Sequence, residues 1–220
     1  MNIRVKMERG KKMSVQTWQD FTTACEQCKA CDLWERRRNV VIWRGAVQAP
    51  LLFIGEGPGA DEDALGKPFV GRSGRLLDML LTAFGLDESD YHIANIVKCR
   101  PPENRQPTDE EVEACKPLLR QQFLYVRPKV IVLLGGVAYR HFTGDETKIS
   151  QVRGIVKESN GYFVIPTYHP AYILRNNKMR EILWSDIALA RQKLEDLGEL
   201  PALTFVPEMP LSHPRKTAGT

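Results

Sequence analysis

Residues 51–59, Leu51-Leu52-Phe53-Ile54-Gly55-Glu56-Gly57-Pro58-Gly59, run from four apolar side chains straight into a glycine-rich turn. A short apolar run closed by such punctuation reads as a buried strand. Three more runs of this kind follow at Tyr91–Val97, Val130–Leu134 and Tyr162–Pro166. Leu76, Leu77, Leu80, Leu81 and Phe84 mark one face of a helix starting near Ser73. Thr108 and Glu111 form a capping box ahead of Val112, Cys115, Leu118 and Leu119. Pro117 is expected to bend that helix or shift its start. A last helix spans about Arg180 to Leu197 and is stopped by Gly198. Strands alternating with helices predict an α/β fold around a central, largely parallel, four-stranded sheet.

In open sheets of this class, ligands bind beyond the carboxyl ends of the strands. Gly55 to Gly59 follow the first strand, Asn95 and Cys99 come late in or after the second, Gly135-Gly136 follow the third, and Tyr168-His169-Pro170 follow the fourth. The polar and glycine-rich segments are therefore expected to converge on one edge.

A chain of 220 residues with 43% hydrophobic and 26% charged side chains fits one globular domain and excludes collagen, a fully disordered chain and a disulfide scaffold. No apolar run approaches the ~20 residues that span a bilayer. The start, MNIRVKMERGKKM, has no apolar segment behind it and is not expected to be a secretory signal. The net charge of +4 suggests a polyanionic partner, yet residues 1–12 carry five basic groups against one acidic, and the rest carries 26 of each. The excess thus sits in a basic tail, residues 1–13, with Met13 an alternative start. Residues 14–198 are expected to form the single domain, and 199–220, with Pro201, Pro207, Pro210 and Pro214, a Pro-rich tail.

The glycine-rich turn alone decides little. No Gly-Lys-Ser/Thr follows, so it is not a P-loop, and Pro58 with Asp61-Glu62-Asp63 spoils the helix start that a dinucleotide pyrophosphate needs. On this segment alone, a tight strand-to-loop turn is the favoured reading. In Gly66–Arg75, Phe69 stands among glycine, proline and charge, Ser73 can cap the next helix, and Lys67, Arg72 and Arg75 add positive charge near its free N–H groups. Five cysteines, an odd number, argue against a disulfide framework and for metal binding or chemistry. Cys28-x2-Cys31 is a chelating bite for zinc or an iron–sulfur cluster; Cys99 precedes Arg100-Pro101-Pro102, and Cys115 lies on an apolar helix face, where a packing role is the plainer reading. Cys25 makes a second Cys-x2-Cys with Cys28, but the rest of a ferredoxin run is missing. A lone His169 or a buried Asn95 would usually be structural.

Together, CKACDL (28–33), GEGPGADEDALGKPFVGRSGRLLD (55–78), NIVKCRPPENRQPT (95–108), the helix carrying Cys115, VIVLLG (130–135) and YHPAYILR (168–175) resemble the family 4 uracil-DNA glycosylases, the thermostable-type enzymes with an iron–sulfur cluster. The resemblance spans roughly 28–197 and implies a three-layer α/β/α fold that hydrolyses the uracil N-glycosidic bond in DNA and leaves an abasic site. By that resemblance Phe69 is the stacking platform, Asn95 reads the uracil edge, and His169 stabilises charge on O2 of the leaving base. Gly55, Glu56, Gly57 and Gly59 complete the uracil pocket. Many other uracil-DNA glycosylases carry Asp or Asn where this chain has Gly57, so Glu56 is the candidate to position water or steady the sugar cation, and Glu62 the organiser of the loop. Cys28, Cys31, Cys99 and Cys115 match the ligands of a [4Fe–4S] cluster, leaving Cys25 spare. Ser73, Arg100, Asn104, Leu174 and Arg175 are DNA-contact candidates, with Ile173 or Leu174 able to insert into the base stack. The long loop of the uracil-crosslinking relatives is not seen, so turnover is expected.

The implied partner is uracil-containing DNA, single- or double-stranded. A monomer acting inside the cell, with no membrane association, is expected. Two other readings compete: a non-catalytic iron–sulfur or zinc module that binds nucleic acid, and an α/β nucleotide-binding protein using the GEGPG loop.

Overall fold

The computed structural model describes residues 17–209. The expected basic tail, residues 1–13, and the end of the Pro-rich tail lie outside the described residues. Within them one sheet carries β1 (Arg44–Gly45), β2 (Leu51–Gly55), β3 (Tyr91–Asn95), β4 (Val130–Leu134), β5 (Lys157–Ser159) and β6 (Tyr162–Thr167), in the order β1-β3-β2-β4-β6-β5. The four strands expected from sequence form its parallel centre. The sheet itself is six-stranded rather than four-stranded, because β1 and β5 pair antiparallel at its two edges. These edge strands are two and three residues long and carry no apolar run, so they left no hydrophobic signal.

Among the described residues, eight α-helices flank the sheet: α1 (Trp18–Glu26), α2 (Ala60–Leu65), α3 (Arg72–Ala83), α4 (Asp109–Val126), α5 (Gly136–Thr143), α6 (Ile149–Val152), α7 (Pro170–Arg175) and α8 (Arg180–Asp196). Successive strand residues point to opposite faces. Leu51, Phe53, Val130 and Val132 therefore join Leu77 and Leu80 of α3 and Leu183 and Ile187 of α8 in one core. Leu52, Ile54, Ile131 and Leu133 join Val112 and Leu119 of α4 and Ala138 of α5 in the other. The result is a three-layer α/β/α body whose central strands are covered on both faces, which is why they read as unbroken apolar runs.

Asp61, Glu62 and Asp63 occupy the first turn of α2, where carboxylates suit the helix dipole and a pyrophosphate would meet like charge. Two local expectations change. Ser73 does not cap α3: Gly71 is the N-cap, and the Glu62 carboxylate already holds the Val70 and Gly71 N–H groups at 2.9 and 2.8 Å. α4 begins at the Thr108–Glu111 capping box as expected and continues through Pro117 to Val126. Beyond α8 the chain stays on the body: Leu200 and Leu203 pack on the α3/α8 core, and Arg191 donates to the Pro201 carbonyl at 2.6 Å.

Candidate active site

The parallel strands all end at one edge, and the register sets Gly55 beside Asn95. A Cβ on Gly55 would lie 2.5 Å from Asn95 Oδ1 and 2.6 Å from Phe69 Cζ. The bare glycine therefore lets the Asn95 amide and the Phe69 ring meet over the end of β2. Asn95 is 1% exposed, and its Oδ1 has no hydrogen-bond partner. An unsatisfied buried acceptor costs about 1–3 kcal/mol, so Asn95 Oδ1 is an acceptor available to a donor at this edge.

Phe69 is buried and holds a positive φ of 56°. A left-handed backbone at a non-glycine residue costs on the order of 1–3 kcal/mol and needs its surroundings to enforce it. The Glu62 carboxylate organises this loop, taking N–H groups from Gly59 as well as Val70 and Gly71. Gly74, without a side chain, lets the Phe69 carbonyl lie against α3.

His169 is the N-cap of α7, and its ring centroid lies 5.6 Å from that of Phe69. Its Nδ1 accepts the Ala171 N–H at 3.1 Å. A lone pair at Nδ1 leaves the proton of the neutral ring on Nε2. Burial, then the Arg175 charge, pushes the imidazole down to about 4, so it is neutral at pH 7. Gly135, at φ 97°, leaves room for the His169 Cβ, which a Cβ there would approach to 3.1 Å. Behind His169, the Thr167 hydroxyl donates to buried Asp186 at 2.6 Å, and Arg153 pairs with the same carboxylate.

Glu56 follows Gly55, is half-buried, and is pushed above the usual carboxylate range by desolvation. Gly57 lies against Val97 and Gly59 against the Glu62 carboxylate, where Cβ atoms would come within 2.9 and 2.8 Å. The outer candidates are more dispersed. Ser73 is half-buried in the first turn of α3, and Arg175 is exposed at the end of α7. Arg100 Nε donates to Asn104 Oδ1 at 2.8 Å, so these two hold each other. Ile173 is fully buried in the core and cannot serve as a wedge, whereas Leu174 is half-buried.

All five cysteines, Cys25 included, line one cavity between α1, the loop from Cys28 to Arg37, the Cys99 loop and α4. All five are free thiols. Burial pushes Cys25 up to about 12 and Cys115 up to about 11. No group of His, Cys, Asp or Glu among the described residues is arranged to hold a single metal ion; the thiols surround a space instead. Arg37 donates to Cys99 Sγ at 3.2 Å. Lys98 also borders the cavity, and burial pushes its ammonium down to about 8. Its Nζ donates to the Asn95 carbonyl at 3.0 Å and to Gln122 Oε1. Gln122 Nε2 donates to His92 Nε2 at 2.8 Å, and His92 Nδ1–H to the Ala46 carbonyl at 2.6 Å. Sequence reasoning missed this buried chain, because its members are 30 and 24 residues apart and share no motif.

Comparison with known proteins identifies the family. Residues 42–190 match the uracil DNA glycosylase superfamily. A type-4 uracil-DNA glycosylase of Thermotoga maritima is 45% identical over 177 residues, covering 79% of this chain and 92% of that protein. One from Archaeoglobus fulgidus is 41% identical over 180 residues, 78% of this chain and 90% of the relative. A type-5 enzyme of Pyrobaculum aerophilum is 32% identical over 151 residues, 61% of this chain and 66% of the relative. A neutral imidazole, a buried unpartnered amide and an enforced aromatic at one sheet edge thus stand in a chain that belongs to the type-4 uracil-DNA glycosylases of the uracil DNA glycosylase superfamily.

Proposed function

We propose that this protein removes uracil from DNA by hydrolysing its N-glycosidic bond, the first step of base excision repair. The observation that carries the reading is the unpartnered Asn95 Oδ1, buried between Gly55 and Phe69. Uracil leaves the stack to reach such a pocket. Its ring lies on Phe69, its N3–H donates to Asn95 Oδ1, and its O4 accepts from the Asn95 amide. Cytosine offers a donor at the 4-position instead, which this amide geometry refuses. As the bond breaks, negative charge grows on O2 and the sugar becomes oxocarbenium-like. The His169 Nε2–H donates to that oxygen, and its neutrality at pH 7 suits this role. Glu56 steadies the sugar cation or positions water; Gly55, Gly57 and Gly59 let the backbone approach. Ser73, Arg100, Asn104, Leu174 and Arg175 contact DNA around the pocket, and the enzyme turns over as a monomer inside the cell, on single- or double-stranded DNA.

Cys28, Cys31, Cys99 and Cys115 would hold a [4Fe–4S] cluster, and Cys25 is the spare thiol. A cluster is a body rather than a point ion, which suits thiols spread around a cavity. Arg37 and Lys98 beside the sulfurs offset the charge of thiolate ligands. When bound, the cluster supplies a cross-link between the N-terminal segment, the Cys99 loop and α4.

The test is incubation with uracil-containing DNA followed by alkali. Strand scission at uracil sites is expected, and its absence sinks the reading. For the cluster, absorbance near ~400 nm is expected in the native protein and in Cys25→Ser, but not in Cys115→Ser; retention in Cys115→Ser removes that ligand.

A further inference from the structure

Phe69 is clamped from a direction that its own motif does not contain. Arg44, on the edge strand β1, is 11% exposed and donates from Nη1 to the Phe69 carbonyl at 3.1 Å. The same guanidinium pairs with Asp78 of α3, with Nη1–Oδ2 at 3.1 Å. β1 cannot shift freely: Gly45, at φ 89°, sits against the Tyr91 backbone where no Cβ would fit. Arg44 is registered opposite Ile93, two residues before Asn95 on β3. One side chain therefore ties the left-handed Phe69 to the strand that carries the base-reading amide.

We propose that Arg44 is a positioning residue that sets the gap between the Phe69 ring and the Asn95 amide, and so the fit for a flat pyrimidine. It holds the Phe69 carbonyl and does not touch the base. Asp78 anchors its second edge, so the guanidinium cannot swing away from the loop. The proposal rests on Phe69 being the uracil platform.

The measurement is single-turnover uracil release and free-uracil binding by Arg44→Met, alongside binding to DNA carrying a tetrahydrofuran abasic analogue, which has no base to stack. Release and uracil binding are expected to fall roughly 10- to 100-fold, the range for a misplaced contact, while abasic-site binding stays unchanged. Arg44→Lys should recover part of the loss. In a Phe69→Leu background, Arg44→Met should add little. A full additional loss in that background, or abasic-site binding falling in step, overturns the proposal. Phe69→Leu alone leaving release unchanged would instead remove the platform reading and this proposal with it. Should Arg44→Met not fold, Asp78→Asn, at a half-exposed carboxylate, carries the same comparison with a smaller loss of the same kind.

Discussion

At the proposed base-reading end, Gly55 and Asn95 are strand partners, and His169 follows β6 by two residues. At the cysteine cavity none of the five thiols lies in a strand; they come from two helices and two loops. The first region takes its geometry from the sheet, whose hydrogen-bonded register leaves little freedom. The second gathers the N-terminal segment and two segments from the middle of the chain, and only their packing, or a bound cross-link, fixes them. The two meet between Asn95 and Cys99, where Lys98 bonds the Asn95 carbonyl and borders the thiols. This makes the short span after β3 the place where loss of one region would be felt by the other.

The sharpest way to break the contrast is at the rigid end. His169→Ala should slow single-turnover uracil release by about 10²–10³-fold, the scale for one donor to a developing anion, and the lost α7 cap should cost about 0.5–2 kcal/mol of stability. An unchanged rate would remove His169 from the chemistry. Next comes Asn95→Asp, in which the amide donor is lost: uracil release should drop on the order of 10–100-fold, and cytosine release should become measurable. If neither moves, the amide does not read the base. Lys98→Met probes the shared span. It leaves the Asn95 carbonyl and Gln122 Oε1 short of a buried donor, so unfolding free energy should fall by about 1–3 kcal/mol, with a several-fold loss of uracil release. If stability falls and release does not, the two regions are independent.

The smallest effect is a pH dependence. Burial pushes His92 down to about 4, with the Ala46 bond opposing it. An unfolded histidine binds its proton below about 6.5, while the folded one stays neutral until about 4. Protons therefore favour the unfolded chain in that window, and stability should fall as pH drops through it. His92→Gln should flatten part of that slope in urea unfolding measured from pH 7 to 4; an identical slope would show that His92 is not its source.

The central strands were legible because sheets covered on both faces demand unbroken apolar runs, and the functional edge because glycines follow them. Phe69 could be singled out because an aromatic among glycine, proline and charge lacks an obvious core. Asn95 and His169 carried no local signal that outweighed a structural role, and only their place in several motifs at once distinguished them. Arg44 was invisible: its strand is two residues long and its partners are 25 and 34 positions away.

The two edge strands that the apolar pattern missed also limit what the sheet can join. A free strand edge is a template for another chain, and short, charged or twisted edges blunt it. Here β1 offers only Arg44 and Gly45, while β5 shows exposed Lys157 and Glu158. Both run against the four strands between them, so a second copy meets no long apolar border on either side along which to extend the sheet strand by strand.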